Sequence, residues 1–337
     1  MALTRGASTL VLPLSHLSQV GESRRRVTAE ALGLGFSEVK TGRAALVATE
    51  AARNVVLHGG GGELLVRTLE RHGERGLELL AIDRGPGMDL AQALRDGFST
   101  AGTSGQGLGA LLRLSDEFDA WSRPGRGAAV LSRIWSGAVP PAGPVRWGAV
   151  SAPLPGEVEC GDGWAVAQRG SVTLALVVDG LGHGPLASAA AREAERTFAA
   201  YAGDDPVELL SRAHDAMRAT RGGALAVAAL RADAHEVLFA GLGNVSGSVV
   251  EDAASRQMVS MNGTAGLEVH RFRSYRYPWQ RGALVVLHSD GVATRWQLPD
   301  YPGLAGRDPS LAAAVLYRDF RRGRDDATVL VLRAVPS

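Results

Sequence analysis

Short apolar runs alternate along the chain with longer segments in which apolar residues recur every three to four positions. In residues 1–135 the short runs predict strands at "STLVLPL", "GELLVRTLE", "GLELLAID" and "AAVLSRIW". The longer periodic segments predict helices over about 15–34, over "VKTGRAALVATEAARNVVLH" behind an N-cap at Ser37, over "LAQALRDGF" and over "LGALLRLSDEFD". Because the strands mostly follow one another rather than alternate with helices, we predict an α+β fold for this half.

The same two patterns return in residues 149–337. Strands are predicted at "GDGWAVAQRG", "SVTLALVVD", "GALAVAALRA", "EVLFAGLG", "GSVVED", "GALVVLHSD" and "TVLVLR". Helices are predicted over 186–201, 206–219 and "LAAAVLYRDF". This half is therefore also predicted to be α+β.

Between the two halves, "SGAVPPAGPV" (136–145) holds three prolines and two glycines and follows neither pattern. A chain of 337 residues is longer than one hydrophobic core usually serves. We therefore predict a first domain over 1–135, a linker over 136–148 and a second domain over 149–337.

The composition narrows the possible partners. Hydrophobic residues make up 45% of the chain, charged residues 21%, and the net charge is +1, which points to neither a nucleic-acid nor an anionic membrane partner. A single cysteine, Cys160, excludes an intramolecular disulfide and a cysteine-ligated zinc site. Without a signal-peptide pattern or an apolar run of about 20 residues, we expect a cytoplasmic protein.

The first half contains three elements suited to a nucleotide. Glu50 and Asn54 lie four residues apart on one predicted helix and share a face, where an amide suits Mg²⁺ and a carboxylate can take a proton; alone, they could be a surface pair. Asp83 ends an apolar strand before "RGPGM", where a buried carboxylate can accept from an adenine amino group. The loop "FSTAGTSGQGLGALL" then enters a helix at about Leu108, and its amides can hold phosphates.

In the second half, aspartates stand where apolar strands end. Asp162 lies in "ECGDGW", Asp179 ends "VTLALVVD", Asp290 ends "ALVVLHSD", and Asp325 and Asp326 precede "ATVLVLR". Any one of them alone has a simple explanation as a turn residue. Brought together they would repel one another, so a convergent cluster implies a cation, and an oxygen-only ligand set indicates Mg²⁺ or Mn²⁺. Four aspartates placed in this way favour a site for two metal ions, which can activate water for attack on phosphorus.

The runs "EAARN", "DRGPGM", "DGFSTAG" and "RLSDEFD" resemble the nucleotide-binding boxes of the GHKL ATPase superfamily, in its RsbT-like switch-kinase branch, over roughly 38–135. The resemblance implies a GHKL-type α/β sandwich that uses ATP and Mg²⁺ to phosphorylate a serine or threonine of a STAS-domain protein. It implies Glu50 as catalytic base, Asn54 as the Mg²⁺ contact and Asp83 as the adenine acceptor. The other implied nucleotide-binding residues are Gly85, Gly87, Gly105, Gly107, Leu108 and Gly109.

From Cys160 to Leu332, the runs "CGD", "DGLGHGPLA", "AMRATRGGA", "GLGNVSG", "LHSDG" and "RDDAT" resemble the small SpoIIE/RsbX branch of the PPM protein phosphatases. The resemblance implies a PPM-type αββα sandwich with two Mn²⁺ or Mg²⁺ ions. The implied metal ligands are Asp162, Asp179, the carbonyl of Gly180, Asp290 and Asp325. Arg169 and Arg221 are candidates for a phosphate-binding arginine, and His183 for a proton donor, although each also has a structural interpretation.

Together the two halves predict a bifunctional signalling protein, with an ATP-dependent serine/threonine kinase and a metal-dependent serine/threonine phosphatase acting on STAS-domain stressosome or anti-sigma-antagonist proteins. A partner or conformational state is expected to gate the two activities. An alternative rests on Ala128, which stands where the family has threonine: the first half would bind a downstream regulator according to its nucleotide, without phosphotransfer, and only the phosphatase would turn over. A metabolic phosphomonoesterase is less favoured, because it does not explain the attached kinase-like domain.

Overall fold

The computed structural model describes residues 2–6, 8–94, 107–251, 254–280 and 282–335. The chain divides into two compact units, one of Thr9–Pro141 and one that joins Met1–Ser8 to Ala142–Ser337. The strand β1 (Ala2–Arg5) pairs with the strand Asp162–Arg169, and the Gly6 amide donates to the Trp164 carbonyl at 2.7 Å. Residues 1–8, which the sequence pattern assigns to the first domain, therefore belong to the sheet of the second unit.

The unit of Thr9–Pro141 is built on an antiparallel sheet with helices packed against it. The described strands run in the order β2-β3-β4-β6-β5. Their bounds are β2 Leu10–Leu14, β3 Gly62–Arg71, β4 Glu74–Asp83, β5 Glu117–Ser122 and β6 Ala128–Trp135. The helices are α1 Ser18–Gly33, α2 Glu38–Leu57, α3 Leu90–Ala93 and α4 Gly107–Leu114.

Strand alternation supplies the core of this unit. Leu64 and Val66 of β3 and Leu77 and Leu79 of β4 point to one face of the sheet, where they join the buried side of α2 in one apolar cluster. The predicted N-cap of α2 is confirmed, since the Ser37 hydroxyl accepts from the Lys40 amide at 3.3 Å.

One predicted helix is partly wrong. The spacing in "LGALLRLSDEFD" predicts helix throughout, but α4 ends at Leu114 and β5 begins at Glu117. Between them, the Asp116 amide donates to the Arg133 carbonyl at 2.8 Å, and its carboxylate accepts from the Trp135 amide at 2.8 Å. The apolar residue Phe118 fits the helical spacing, but the hydrogen bonds with β6 place it in a strand.

The other unit contains two stacked sheets flanked by helices. One sheet has the order β1-β8-β9-β10-β11-β14, with β15 also paired to β11; the other has the order β13-β12-β16-β17-β7. The strand bounds are β7 Val145–Ala152, β8 Asp162–Arg169, β9 Val172–Gly180, β10 Gly223–Arg231, β11 Glu236–Leu242, β12 Ser246–Glu251, β13 Ala254–Met258, β14 Ser260–Met261, β15 Tyr275–Pro278, β16 Leu284–His288 and β17 Ala327–Ala334. The helices are α5 Pro185–Ala200, α6 Pro206–Ala216 and α7 Pro309–Phe320.

Facing residues of the two sheets form the central core of this unit, with Trp164 and Val177 from one sheet and Val285 and Leu330 from the other. α5 and α6 cover the outer face of the first sheet, and α7 packs on β7 and β17 of the second. This is the predicted αββα sandwich, and the two-domain α+β prediction is confirmed. Strand β7 begins at Val145, inside the segment predicted as linker, and the sequence pattern predicts neither β7 nor β1 nor β13–β15. None of the helices in the described part of the chain combines the length and apolarity that crossing a bilayer requires.

A buried ionic cluster links three neighbouring strands of the Thr9–Pro141 unit. The Glu78 carboxylate is fully buried and accepts from Arg67 Nη2 at 2.6 Å and from Arg133 Nε at 2.8 Å. Arg133 also reaches Glu117, which is about a quarter exposed, at 3.3 Å. Removing the central carboxylate would leave two guanidinium groups buried close together without the charge between them.

We therefore expect Glu78→Gln to lower the free energy of unfolding by about 3 kcal/mol or more. The matched control is Glu117→Gln, which removes a partly exposed partner of the same arginine and is expected to cost less than about 1 kcal/mol. Urea denaturation of the full chain, followed by tryptophan fluorescence and circular dichroism, measures both. Equal losses in the two variants would contradict the central role of Glu78.

Candidate active sites

In the Thr9–Pro141 unit, the carboxylate of Asp83 is held by backbone amides at the end of β4. Its Oδ1 accepts from the Gly85 amide at 2.9 Å and from the Ala128 amide at 3.2 Å. The residue is buried, and the turn after α2 lies against it, because a Cβ built on Gly59 would fall 2.5 Å from the Asp83 Cβ. These contacts fix the orientation of the carboxyl group before any ligand is bound.

Glu50 and Asn54 are both half-buried, one turn apart on α2. The start of α4 lies against Asn54, since a Cβ on Gly107 would come within 3.1 Å of the amide oxygen. Leu108 and Gly109 are buried on α4. Asn54 thus lies against the start of the predicted phosphate-binding helix. Its carbonyl accepts from the Gly59 amide, and Gly59 in turn packs against Asp83. Gly105 lies outside the described residues, as does the loop 95–106.

The turn after Asp83 is shaped by two close backbone approaches. A Cβ on Gly85 would fall 2.7 Å from the Gly59 carbonyl oxygen. Gly87 has φ +70°, and a Cβ there would fall 1.9 Å from the Arg123 carbonyl oxygen. A side chain at Gly87 would therefore be excluded both by backbone conformation and by space. The sequence does not single out Gly59, because a glycine after a helix is also an ordinary helix terminator.

In the other unit, Asp162 and Asp179 are directly opposite each other on β8 and β9. Asp162 is buried, and its Oδ2 accepts from the Ser289 hydroxyl at 2.6 Å. The Ser289 hydroxyl also accepts from the Thr328 amide at 3.0 Å, which ties the end of β16 to β17. Gly180 follows Asp179 and lies so close to α5 that a Cβ would fall 2.3 Å from the Ala187 carbonyl oxygen.

Asp290 is brought to the same place by the end of β16. Its amide donates to Asp179 Oδ2 at 3.4 Å, and its carboxylate accepts from the Asn244 side-chain amide. The following glycine, Gly291, is required by packing, since a Cβ there would fall 1.8 Å from the Asp326 carbonyl oxygen. The Asp-Gly pairs at both strand ends thus let backbone segments meet around the carboxylates.

The two adjacent aspartates before β17 have different surroundings. Asp326 is buried, and its carboxylate accepts from the Leu154 amide at 2.6 Å and the Gly161 amide at 2.8 Å. Asp325 is half-buried and accepts only its neighbour's amide, at 2.9 Å, among the described residues. Asp326 therefore fixes two loops, and Asp325 is the more available carboxylate of the two.

Burial and mutual repulsion dominate the electrostatics of this cluster. Burial, followed by the charge of Asp290, raises the pKa of Asp179 to about 7. Burial and the charge of Asp179 raise the pKa of Asp162, and burial and the charge of Asp325 raise the pKa of Asp290. A divalent cation would offset this repulsion, and hard carboxylate oxygens are the ligands that Mg²⁺ and Mn²⁺ take.

The side chains do not form a ready-made cage. Within the described ranges, no group of three or more His, Cys, Asp or Glu side chains is already arranged to enclose a metal ion. Two of the carboxylates are instead turned onto Ser289 and Asn244. The donor set fits a divalent metal by its chemistry and by its placement at four converging chain segments.

Several residues weighed from the sequence have structural partners. Arg169 donates to the carbonyls of Gly203 and Tyr201 and lies 5.7 Å from the Tyr201 ring centre, so it braces a loop rather than facing the carboxylates. His183 Nδ1 lies 2.8 Å from a Glu157 carboxylate oxygen at the protein surface. Cys160 is buried beside Ser151, and burial raises the pKa of its thiol, which makes it a poor nucleophile.

Two residues that contact the carboxylates, Ser289 and Asn244, are not among the site residues predicted from the sequence. A Ser before Asp-Gly and an Asn directly after a glycine are ordinary turn patterns. The folded structure shows their role, because the Ser289 hydroxyl donates to Asp162 and the Asn244 amide donates to Asp290.

Comparison with known proteins agrees with this division of the chain. A family model described as "Histidine kinase-like ATPase domain" matches residues 14–133, and one described as "Stage II sporulation protein E (SpoIIE)" matches residues 169–335. The serine/threonine-protein kinase RsbT of Bacillus subtilis (strain 168) is 38% identical over 103 residues, which cover 30% of this chain and 77% of that protein.

The phosphoserine phosphatase RsbX of the same strain is 21% identical over 138 residues, covering 41% of this chain and 69% of that protein. A solved structure from work on the bacterial stressosome, described as a modular system adapted to control secondary messenger signalling, superimposes with a TM-score of 0.52. It is 24% identical and covers 56% of this chain and 99% of its own, so it supports the fold alone.

The glycine at position 87 provides a test of the first site. We expect Gly87→Ala to cost about 1 kcal/mol for the left-handed backbone and clearly more for the displaced Arg123 carbonyl, and to weaken nucleotide binding. Gly125→Ala is the control, because Gly125 has φ +74° but open space around its Cβ position.

Urea denaturation and calorimetric titration with a non-hydrolysable ATP analogue measure both effects. If the two alanine variants lose equal stability and bind the analogue equally, the close approach at Gly87 has no part in the site.

Proposed function

We propose that this chain, which belongs to the RsbT family of serine/threonine kinases by its first half and carries a SpoIIE-type phosphatase domain in its second, both adds phosphate to and removes it from a STAS-domain regulatory protein. The observation that carries the proposal is the presence of two chemically opposite sites in separate units. One holds the Asp83 carboxylate by two backbone amides and has Asn54 against the start of α4, and the other is a cluster of mutually repelling carboxylates.

In the kinase half, Asp83 would accept from the adenine amino group, and its amide contacts hold it in position to do so. Asn54, beside the start of α4, would contact the Mg²⁺ that accompanies ATP. Glu50 would take the proton from the serine or threonine hydroxyl as the hydroxyl oxygen attacks the γ-phosphorus and ADP leaves. Positioning and charge neutralisation supply most of the rate in such a transfer.

In the phosphatase half, Asp162, Asp179, the Gly180 carbonyl, Asp290 and Asp325 would hold two Mn²⁺ or Mg²⁺ ions. Metal ions held there would supply a water of lowered pKa for attack on the phosphoester, with inorganic phosphate and the free hydroxyl as products. Ser289 and Asn244 orient two of these carboxylates, and orienting contacts of this kind affect both metal affinity and rate.

Opposite activities in one chain need a single shared substrate and a gate. RsbT is named a serine/threonine-protein kinase and RsbX a phosphoserine phosphatase, so one adds the phosphate group that the other removes. Running together they would only hydrolyse ATP. We therefore propose that a partner or conformational state favours one half at a time.

A second function for the first half is favoured by Ala128. Its amide holds the Asp83 carboxylate, while its methyl group offers no hydroxyl where the family has threonine. The kinase half would then bind nucleotide and a downstream regulator without phosphotransfer. Nucleotide binding with no phosphorylation of any STAS-domain protein would favour this function over the first.

For the kinase, we expect Asn54→Ala to abolish phosphorylation of a STAS-domain protein by MgATP, because the metal contact is lost. The assay follows phosphoserine and phosphothreonine by mass spectrometry. The control is Asp290→Asn, which changes the other unit and should retain phosphorylation. Undiminished phosphotransfer by Asn54→Ala would rule out the assigned nucleotide site.

For the phosphatase, we expect Asp290→Asn to reduce Mn²⁺-dependent release of phosphate by about a hundredfold or more, since one metal ligand loses its charge. The assay uses the phosphorylated STAS-domain protein, with Asn54→Ala as the control that should retain dephosphorylation. Full activity of Asp290→Asn would show that the metal site lies elsewhere.

A further inference from the structure

A cleft lined by arginines opens beside the carboxylate cluster of the phosphatase unit. Its volume is about 620 Å³, and its charged lining consists of Arg295, Arg321, Arg322, Arg324 and Asp319. Four cationic side chains thus meet one anionic side chain in a chain whose net charge is only +1. The positive charge of the cleft is therefore a local feature and does not reflect the charge of the whole chain.

The single acid of the cleft is already neutralised. The Asp319 carboxylate accepts from Arg318 Nε and Nη2, both at 2.8 Å, and from the Tyr301 hydroxyl at 2.9 Å. It has little capacity left to balance the arginines that line the cleft.

Three of the four arginines are not held in an ion pair. Arg295, Arg322 and Arg324 are exposed, and within the described part of the chain none has a carboxylate within 4.0 Å or a side-chain hydrogen bond. Arg321, by contrast, donates to the Tyr317 hydroxyl at 2.5 Å and lies 4.8 Å from the ring centre. The three exposed guanidinium groups are available to bind an external anion.

The backbone places this cleft next to the reacting centre. The Arg322 amide donates to the Gly291 carbonyl at 2.8 Å, one residue beyond Asp290, and the Ala293 amide donates to the Phe320 carbonyl at 2.9 Å. Arg324 immediately precedes Asp325. The cleft residues therefore adjoin two of the candidate metal ligands, Asp290 and Asp325, along the backbone.

We propose that this cleft, hereafter the arginine cleft, binds acidic side chains that flank the phosphorylated serine or threonine of the protein substrate, and so makes the phosphatase selective for phosphosites in acidic segments. The inference rests on the proposed phosphatase function. A cleft of this volume accommodates several side chains, and carboxylates match the planar donor pattern of guanidinium groups.

The experiment compares two twelve-residue peptides around one phosphothreonine, with either Glu or Gln at the flanking positions, on the full chain. The first readout is calorimetric binding of the unphosphorylated peptides. We expect the Glu peptide to bind about tenfold or more tightly than the Gln peptide at low salt, with the preference shrinking as salt rises. The second readout is the ratio of Mn²⁺-dependent kcat/KM for the two phosphopeptides, in which any general loss of activity cancels.

Two variants decide the assignment. Arg295→Gln/Arg322→Gln/Arg324→Gln should bring the binding preference and the kcat/KM ratio close to one. Arg146→Gln/Arg256→Gln removes two exposed arginines outside the cleft and should keep both.

Each outcome separates the two proposals. A wild-type chain without preference for the Glu peptide, or a triple variant that keeps it, overturns the arginine cleft. If neither phosphopeptide is hydrolysed but the binding preference follows the arginines, the cleft is supported and the phosphatase function fails. Equal hydrolysis of both peptides with no binding preference leaves the phosphatase function standing and refutes the cleft.

Discussion

Repulsion between carboxylates at converging strand ends is the constraint on which the second half of this protein depends. Asp162 and Asp179 face each other across β8 and β9, and Asp290 is hydrogen-bonded to Asp179 through its amide. Burial raises the cost of holding these charges together, as the raised pKa values show. The apolar core between the two sheets fixes the strands that carry these aspartates, so the fold holds the carboxylates close together despite their repulsion.

In the first half, the candidate site holds a strand-end carboxylate with amide donors. The buried Asp83 carboxylate accepts there from the backbone amides of Gly85 and Ala128. Glycines allow close backbone approach at both sites, at Gly87 in one and Gly291 in the other. What distinguishes the sites is the number of carboxylates at the strand ends, because one suits an uncharged hydrogen-bond donor and several call for metal.

The parts that could be predicted from the sequence are those with a strong local signal. Apolar alternation predicts most strands of both sandwiches, and the position of an aspartate directly after an apolar run is enough to single out Asp179 and Asp290. Strand β5 reads as helix because its spacing fits both periods, and only pairing with β6 decides. Ser289 and the arginine cleft escape sequence reasoning for a related reason: their significance comes from segments that are distant in sequence and carry no pattern of their own.

The position of β1 constrains how the two units are joined along the chain. Because Ala2–Arg5 pair with β8 while the next strand belongs to the other unit, the Thr9–Pro141 unit is inserted between the first strand of the β1-β8-β9 sheet and the rest of that sheet. Two chain crossings, rather than one, connect the units. A cut after Pro141 would therefore leave the β8 edge without its partner, exposing a strand edge beside Asp162. The two units are thus interleaved along the chain, and the full chain is the form in which either proposed function should be measured.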